Sequence, residues 1–264
     1  MFQVAVIGGT GLVGARVVYE LRTRGHEAIA AAPGTGVDTI TGEGLDDLLA
    51  SSEIVVDVSN SPSFGAREAM TFFTTAARNI AEAERRADVR HHVALSVVGT
   101  DRMQASGYFR ARLAQERLVA ESGIPYTIVR AAPAFESLNA IARFSTVDGA
   151  VRLPPVAFQP VAADDIALAL VEAALSNPVN GVIEIAGPEV FTLDEAVRRV
   201  LARDGDKREV VGDPAAAFLG VEIDDSTLVS SPDARHGSTT LARWLDHALP
   251  PTSAKQARGR SALS

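Results

Sequence analysis

Short apolar runs rich in β-branched residues alternate along this chain with longer stretches whose apolar positions recur every three to four residues. Residues 3–7 read as a strand and 11–24 as a helix closed by Gly25. A second strand covers 26–32 and ends at Ala32-Pro33-Gly34, and residues 37–40 read as a short third strand. Residues 43–50 look helical, and Ile54-Val55-Val56-Asp57-Val58 has the continuous apolar character of a buried strand. The spacing predicts a long helix over 66–87, with Met70, Phe73, Ala77, Ile80 and Ala81 on one face. Strands at 92–98 and 126–129 flank a helix over 108–121, which Ser122-Gly123 stops. The alternation of strands and helices implies an α/β fold: a Rossmann-type, doubly wound parallel sheet with crossover helices.

Beyond Arg130 the alternation weakens. Residues 131–160 hold four prolines and no long periodic element, which suits loops. Helices are expected over 164–175 and 193–202, with a strand at 182–185. The pattern divides residues 1–249 into a core (about 1–130 plus 156–186) and a small C-terminal substrate-covering lobe (about 131–155 and 187–249). Residues 250–264 form a basic, Ser- and Ala-rich tail expected to have little fixed structure. No internal repeat is present.

Charge narrows the partners. With 25 basic and 33 acidic residues the formal balance is 25 − 33 = −8, which disfavours nucleic acid and anionic membranes. Cysteine is absent, so disulfides, thiolate catalysis and cysteine-bound metals are excluded. None of the five histidines forms a metal-type pair at helical spacing. His91 and His92 should point to opposite faces of a strand. No stretch of about eighteen apolar residues survives uninterrupted. The run Val4-Ala5-Val6-Ile7 feeds directly into a glycine loop, so cleavage there would remove a core strand, and a cytoplasmic protein is expected.

The loop itself, Gly8-Gly9-Thr10-Gly11-Leu12-Val13-Gly14, lies between a strand and a helix and satisfies two glycine spacings at once. Glycine lets the chain turn tightly, lets backbone approach a pyrophosphate, and lets the helix pack hard against the strand. The helix N-terminus then offers free N–H groups to the phosphates. Together these point to a dinucleotide. At the end of the second strand, Ala30-Ala31-Ala32-Pro33-Gly34-Thr35 supplies no carboxylate to hold a ribose 2′-hydroxyl. That favours NADP over NAD, with Arg16, Arg22 or Arg24 as phosphate contacts.

The sequence resembles the NmrA-like, NAD(P)H-binding members of the atypical short-chain dehydrogenase/reductase superfamily over residues 1 to about 245. Beyond the glycine loop, the likeness rests on Asp57-Val58-Ser59-Asn60, Asn79-Ile80, Leu95-Ser96-Val97-Val98-Gly99 and Tyr108-Phe109-Arg110-Ala111-Arg112-Leu113-Ala114-Gln115-Glu116. It continues in Tyr126-Thr127-Ile128-Val129-Arg130 and in residues 159–167. The resemblance implies cofactor contacts at Ser59 and Asn60, and at Ser96, Val97, Ala132 and Pro133 near the nicotinamide. It places a small-molecule substrate over the C-terminal strand ends, and it implies a monomer or a homodimer, since helices such as 66–87 and 108–121 commonly pair in this superfamily. In active members a Tyr is followed four residues later by a Lys on the same helical face. That Lys holds the nicotinamide ribose and lowers the phenol pKa. Here Tyr108 is followed by Arg112, which keeps the charge but not the compact ammonium. Ser96, twelve residues before Tyr108, stands where a third group would bond a substrate carbonyl, and Arg112 also counts among the cofactor contacts.

Phe135 and Glu136 follow the Ala132-Pro133 turn and could face substrate, whereas Asp164-Asp165 reads as a helix start, Arg85-Arg86 as a solvated helix end and Trp244 as a packing anchor. The leading functional expectation is an NAD(P)H-dependent oxidoreductase acting on a small organic carbonyl or quinone-like compound. The alternatives are a nucleotide-binding sensor without turnover, or a non-redox isomerase, dehydratase or cyclase on the same fold.

Overall fold

The computed structural model describes residues 1–247, so the expected tail at 250–264 lies outside the described residues. The first half runs β1 (Gln3–Ile7), α1 (Leu12–Thr23), β2 (Glu27–Ala31), α2 (Leu45–Leu49), β3 (Ile54–Asp57), α3 (Ala66–Ala87), β4 (His91–Val97), α4 (Gly107–Ala120) and β5 (Tyr126–Ala131). It continues through α5 (Leu138–Phe144), β6 (Thr146–Val147), β7 (Ala150–Leu153), β8 (Ala157–Phe158), α6 (Ala163–Leu175) and β9 (Gly181–Ala186). The last elements are β10 (Phe191–Thr192), α7 (Leu193–Arg203), β11 (Val210–Gly212), β12 (Arg235–His236) and α8 (Leu241–His247).

Seven strands form one parallel sheet in the order β2-β1-β3-β4-β5-β9-β12. The chain leaves β1 for β2 on one side and returns to β3 on the other. The C-terminal ends of β1 and β3 therefore bracket the crevice where ligands of doubly wound sheets bind. The sheet is apolar on both faces, as parallel sheets must be. Val4 and Val6 face α1 and α6, meeting Val17, Leu21, Leu170 and Val171. Ala5, Ile7 and Val55 face the other way, toward Leu45, Leu49, Ala76 and Ile80. A third apolar cluster joins α3 and α4 to α5, α7 and the small sheets β11-β7-β6 and β10-β8.

Two expectations need correction. Residues 37–40 make no strand: Asp38 Oδ1 accepts from the Ile40 N–H at 2.7 Å, and this side-chain turn displaces the extended ladder. Residues 131–160 are more regular than their prolines suggest. They hold the helix α5 and three short strands, because Leu138, Ile141 and Ala142 find an apolar partner surface across the lobe.

His91 and His92 do diverge across the sheet, and both are buried. His91 Nε2 meets Thr127 Oγ1 at 2.9 Å, whereas His92 Nδ1 meets Glu84 Oε1 of α3 at 2.5 Å. Burial alone would lower the His92 pKa, but the adjoining Glu84 carboxylate, with Asp57 beyond it, lifts it above the ordinary value. Burial carries His91 the other way, from 6.5 to about 4. The two therefore contribute to stability with opposite pH dependence. The His92 share is complete below the ordinary histidine value and is lost as pH rises through the elevated one. The His91 share is complete above 6.5 and is lost as pH falls toward about 4, where the folded ring finally takes its proton. Replacing His91 by Gln removes that second dependence. In urea unfolding followed by circular dichroism, the wild type should lose more stability than the variant between pH 6.5 and 4. Parallel pH profiles would contradict the assignment.

Candidate functional site: a nucleotide cleft joined to an apolar cleft

Gly8 leaves β1 with φ +78°, a conformation that L side chains rarely adopt. Its N–H and that of Gly9 both donate to the Ala31 carbonyl, at 2.8 and 3.2 Å, so the loop is tied to the end of β2. A Cβ on Gly9 would stand 2.6 Å from the Val6 oxygen and 2.7 Å from Ala30 Cα. A Cβ on Gly14 would stand 2.2 Å from the Gly8 oxygen. The first turn of α1 therefore lies directly on the loop, its N-terminus facing the crevice.

That crevice is a cavity of about 710 Å³, within the range of cofactor sites. Gly8, Thr10, Gly11, Leu12, Val13, Gly14, Ser59, Asn60 and Arg112 line it, all anticipated from sequence. Gly9 packs behind it. Ser59 Oγ and Arg112 Nε are buried without a hydrogen-bond partner among the described residues, donors suited to a bound polar molecule. The glycine cradle, the volume and these free donors fit a dinucleotide.

Arg16, Arg22 and Arg24 do not line this cavity. Arg16 pairs with Asp164 at 2.7 Å, and Arg22 donates to the Ala28 carbonyl at 2.7 Å. Arg22 and Arg24 sit at the C-terminal end of α1, turns away from the phosphate loop. The expectation that they meet a 2′-phosphate is corrected. Asp38 instead lines the cavity beside Ala31, Ala32, Pro33, Thr39 and Ile40. No spacing in the sequence marks it, because it lies seven residues past the end of β2 in a segment whose pattern predicts a strand.

A second, apolar cavity of about 240 Å³ adjoins the first, and Val13, Leu95 and Arg112 line both. Its walls include Val97, Tyr108, Phe109, Ala132, Pro133, Phe144, Phe218 and Leu219. A chain of hydrogen bonds runs along the seam. Asp57 accepts from the Ser59 N–H (2.9 Å) and from Gln115 Nε2 (3.0 Å). Gln115 accepts from Arg112 (2.9 Å), which also donates to the Leu95 carbonyl (3.0 Å) and more distantly to Asn60 (3.4 Å). Asn60 Oδ1 accepts the Tyr108 hydroxyl at 2.7 Å. The Arg112 guanidinium lies 4.4 Å over the Phe73 ring, so a planar, delocalised cation is what this slot accommodates. Gln115 and Asp57 were legible only as parts of a motif. Their role requires α4 and β3 to be brought together.

Ser96 lines the apolar cavity, but its hydroxyl donates to Glu116 Oε1 at 2.5 Å. Glu116 is in turn held by Arg130 at 2.7 Å, and Arg130 also pairs with Asp101. Those carboxylates lift the Arg130 pKa above the ordinary value against the opposing effect of burial. A substrate carbonyl would find no free proton on Ser96, which corrects its expected role. Phe135 and Glu136 are also corrected. Phe135 is buried against Trp244, with ring centroids 5.5 Å apart. Glu136 accepts from the Ala163 N–H at the start of α6 (3.2 Å) and from Trp244 Nε1 (3.1 Å). Both lie outside the apolar cleft's lining because the turn after Pro133 points them toward α6 and α8. Among the described residues, no group of three or more His, Cys, Asp or Glu could hold a metal ion, and no helix is long and apolar enough to cross a membrane.

The sequence model of a family described as NAD(P)H-binding matches residues 36–178, more than half the chain. This chain belongs to that NAD(P)H-binding family. No curated protein matches it. Solved structures share the fold of this NAD(P)H-binding protein at low identity. The UDP-glucose 4-epimerase of Thermotoga maritima, with UDP-glucose, aligns at TM-score 0.71 and 16% identity over 92% of this chain and 96% of that one. A short-chain dehydrogenase/reductase superfamily protein of Agrobacterium tumefaciens with bound NAD gives 0.68 and 17% over 92% and 95%. The dTDP-4-dehydrorhamnose reductase of Bacillus anthracis, in complex with NADP, gives 0.64 and 16% over 85% and 89%.

The glycine contacts predict unequal tolerance. Gly14→Ala drives a methyl group into backbone and should cost about 1–3 kcal/mol of stability. Gly11→Ala meets only the Gly8 oxygen at 3.2 Å and should melt close to the wild type. Differential scanning calorimetry separates them, and equal melting temperatures would refute the packing argument.

Proposed function

We propose that this protein is a nicotinamide-dependent oxidoreductase acting on a small, uncharged organic carbonyl or quinone-like compound. The observation that carries this reading is the Tyr108–Asn60 hydrogen bond, which spans the seam between a dinucleotide-sized cleft and an apolar one. The nicotinamide, when bound, supplies or accepts hydride. Backbone N–H groups at the start of α1 hold the diphosphate, and Ser59 and Asn60 line the same cleft. Tyr108 turns its hydroxyl from the neutral Asn60 amide oxygen, a weaker acceptor than the Glu116 carboxylate that holds Ser96, and gives its proton to the carbonyl oxygen of a substrate in the apolar cleft. The fixed Arg112 charge nearby stabilises the phenolate left behind. Apolar walls exclude water from the transfer.

Charge distribution supports the substrate class. Arg112 is the one charged side chain in the apolar cleft's lining, and Phe73, Leu95 and Gln115 already engage it. A single cation, shared with the phenolate, would leave most of a substrate's own diphosphate without counter-charge there. The adenosine end supports NAD(H) in preference to NADP(H), because Asp38 suits free ribose hydroxyls and repels a 2′-phosphate. A second reading, a sensor that holds the nucleotide without turnover, draws on Arg112 itself, whose buried guanidinium, fixed by Leu95 and Gln115, replaces a mobile ammonium.

Calorimetry should find NAD+ bound at least about tenfold more tightly than NADP+, and Asp38→Asn should narrow that gap. Equal affinities would overturn the assignment to NAD. In an acceptor screen with NADH, Tyr108→Phe should lower turnover by about 100-fold or more while nucleotide affinity holds. Tight nucleotide binding with no turnover by the wild type on any acceptor would favour the sensor.

A further inference from the structure

Four non-glycine residues have positive φ among the described residues: Asp88, Asp148, Asn180 and Leu219. The first three are residue types whose short polar side chains tolerate the left-handed region. Leu219, at φ +48°, is the exception. Its setting is a two-residue turn. Phe218 and Val221 exchange backbone hydrogen bonds at 2.8 and 3.0 Å, and Gly220 follows Leu219 with φ +81°. Positive φ at both central positions defines a mirror-image type I turn, for which Asn-Gly is the preferred pair. Gly220 meets the requirement and Leu219 violates it. Local strain of this kind persists where the surroundings over-determine it, often at ligand clamps.

What the strain secures is a position in the apolar cleft. The Leu219 side chain lines that cleft beside Phe218, which is buried and anchors the turn. At the exposed rim stand Phe64 and Phe144, their ring centroids 5.2 Å apart in an edge-on contact, with Phe64 also 4.9 Å from Tyr108. Exposed aromatic side chains clustered on the lining of a cavity suit a flat apolar ligand.

We propose that Leu219 is the specificity-determining residue of this cleft, held there by a strained turn so that a volume of about 240 Å³, below the roughly 300–1,000 Å³ usual for drug-sized ligands, favours a flat, uncharged carbonyl compound of one ring over larger ones. The proposal rests on the reading of the apolar cleft as the substrate site. The test is calorimetric titration, under saturating NAD+, with acetophenone (one ring) and 2-acetonaphthone (two fused rings). The wild type should bind the smaller ketone about tenfold more tightly. Leu219→Asn restores the preferred turn pair and replaces the branched apolar side chain at the cleft with a smaller polar one. It should melt no lower than the wild type and bring the affinity ratio toward one. Leu219→Phe should move the ratio the opposite way. A ratio that is the same in all three proteins overturns the proposal, whatever the melting temperatures, and assigns Leu219 to packing alone. If NAD+ binds but neither ketone binds the wild type, the reading of the cleft as substrate site falls, and this proposal with it.

Discussion

The first turn of α1 rests on the loop that precedes it with no room for a side chain between them, and the rest of the site is arranged around that contact. Gly14 against the Gly8 oxygen, and Gly9 against Val6 and Ala30, press helix, loop and two strands into one layer. This explains the alanine-rich end of β2. A larger residue at Ala30 would meet the backbone of Gly9. The same closeness aims the helix N-terminus, with its free N–H groups, into the crevice where the strand order reverses.

From that crevice a polar chain leads to the apolar cleft. Asp57 at the end of β3 fixes the backbone of Ser59 with one oxygen and Gln115 of α4 with the other. Gln115 fixes Arg112, and Asn60 receives both Arg112 and Tyr108. Helix α4 can lie close enough for this because Gly107 approaches Ala66 of α3 where a side chain would collide. The buried guanidinium is held by carbonyl oxygens and an aromatic face rather than by a carboxylate in contact, so its charge stays available to the phenol. Ser96 belongs to a separate cluster with Glu116, Arg130 and Asp101, which braces β4 against β5 and α4.

The lobe contributes a different kind of surface. Where the nucleotide cleft offers backbone amides and hydroxyls, the lobe offers Phe144, Phe218 and Leu219. An uncharged ligand loses little by leaving water for such walls, whereas a charged one loses a great deal.

Alternating periodicities determined the parallel sheet, because strands buried on both faces and helices buried on one leave different signatures along a chain. The glycine spacing determined the nucleotide loop, since no other residue fits the contacts at positions 9 and 14. The Tyr108–Arg112 pair was legible too, as neighbours one helical turn apart. Tertiary structure alone decided what those groups touch. It turned Glu136 toward Trp244 and α6, tied Ser96 to Glu116, moved Arg16 to Asp164, and brought Asp38 and Leu219 into the clefts. Local sequence encodes periodicity and backbone freedom, which are properties of neighbours in the chain. Hydrogen-bond partners separated by tens of residues depend on how helices and loops pack across the sheet, and no spacing in the sequence records that.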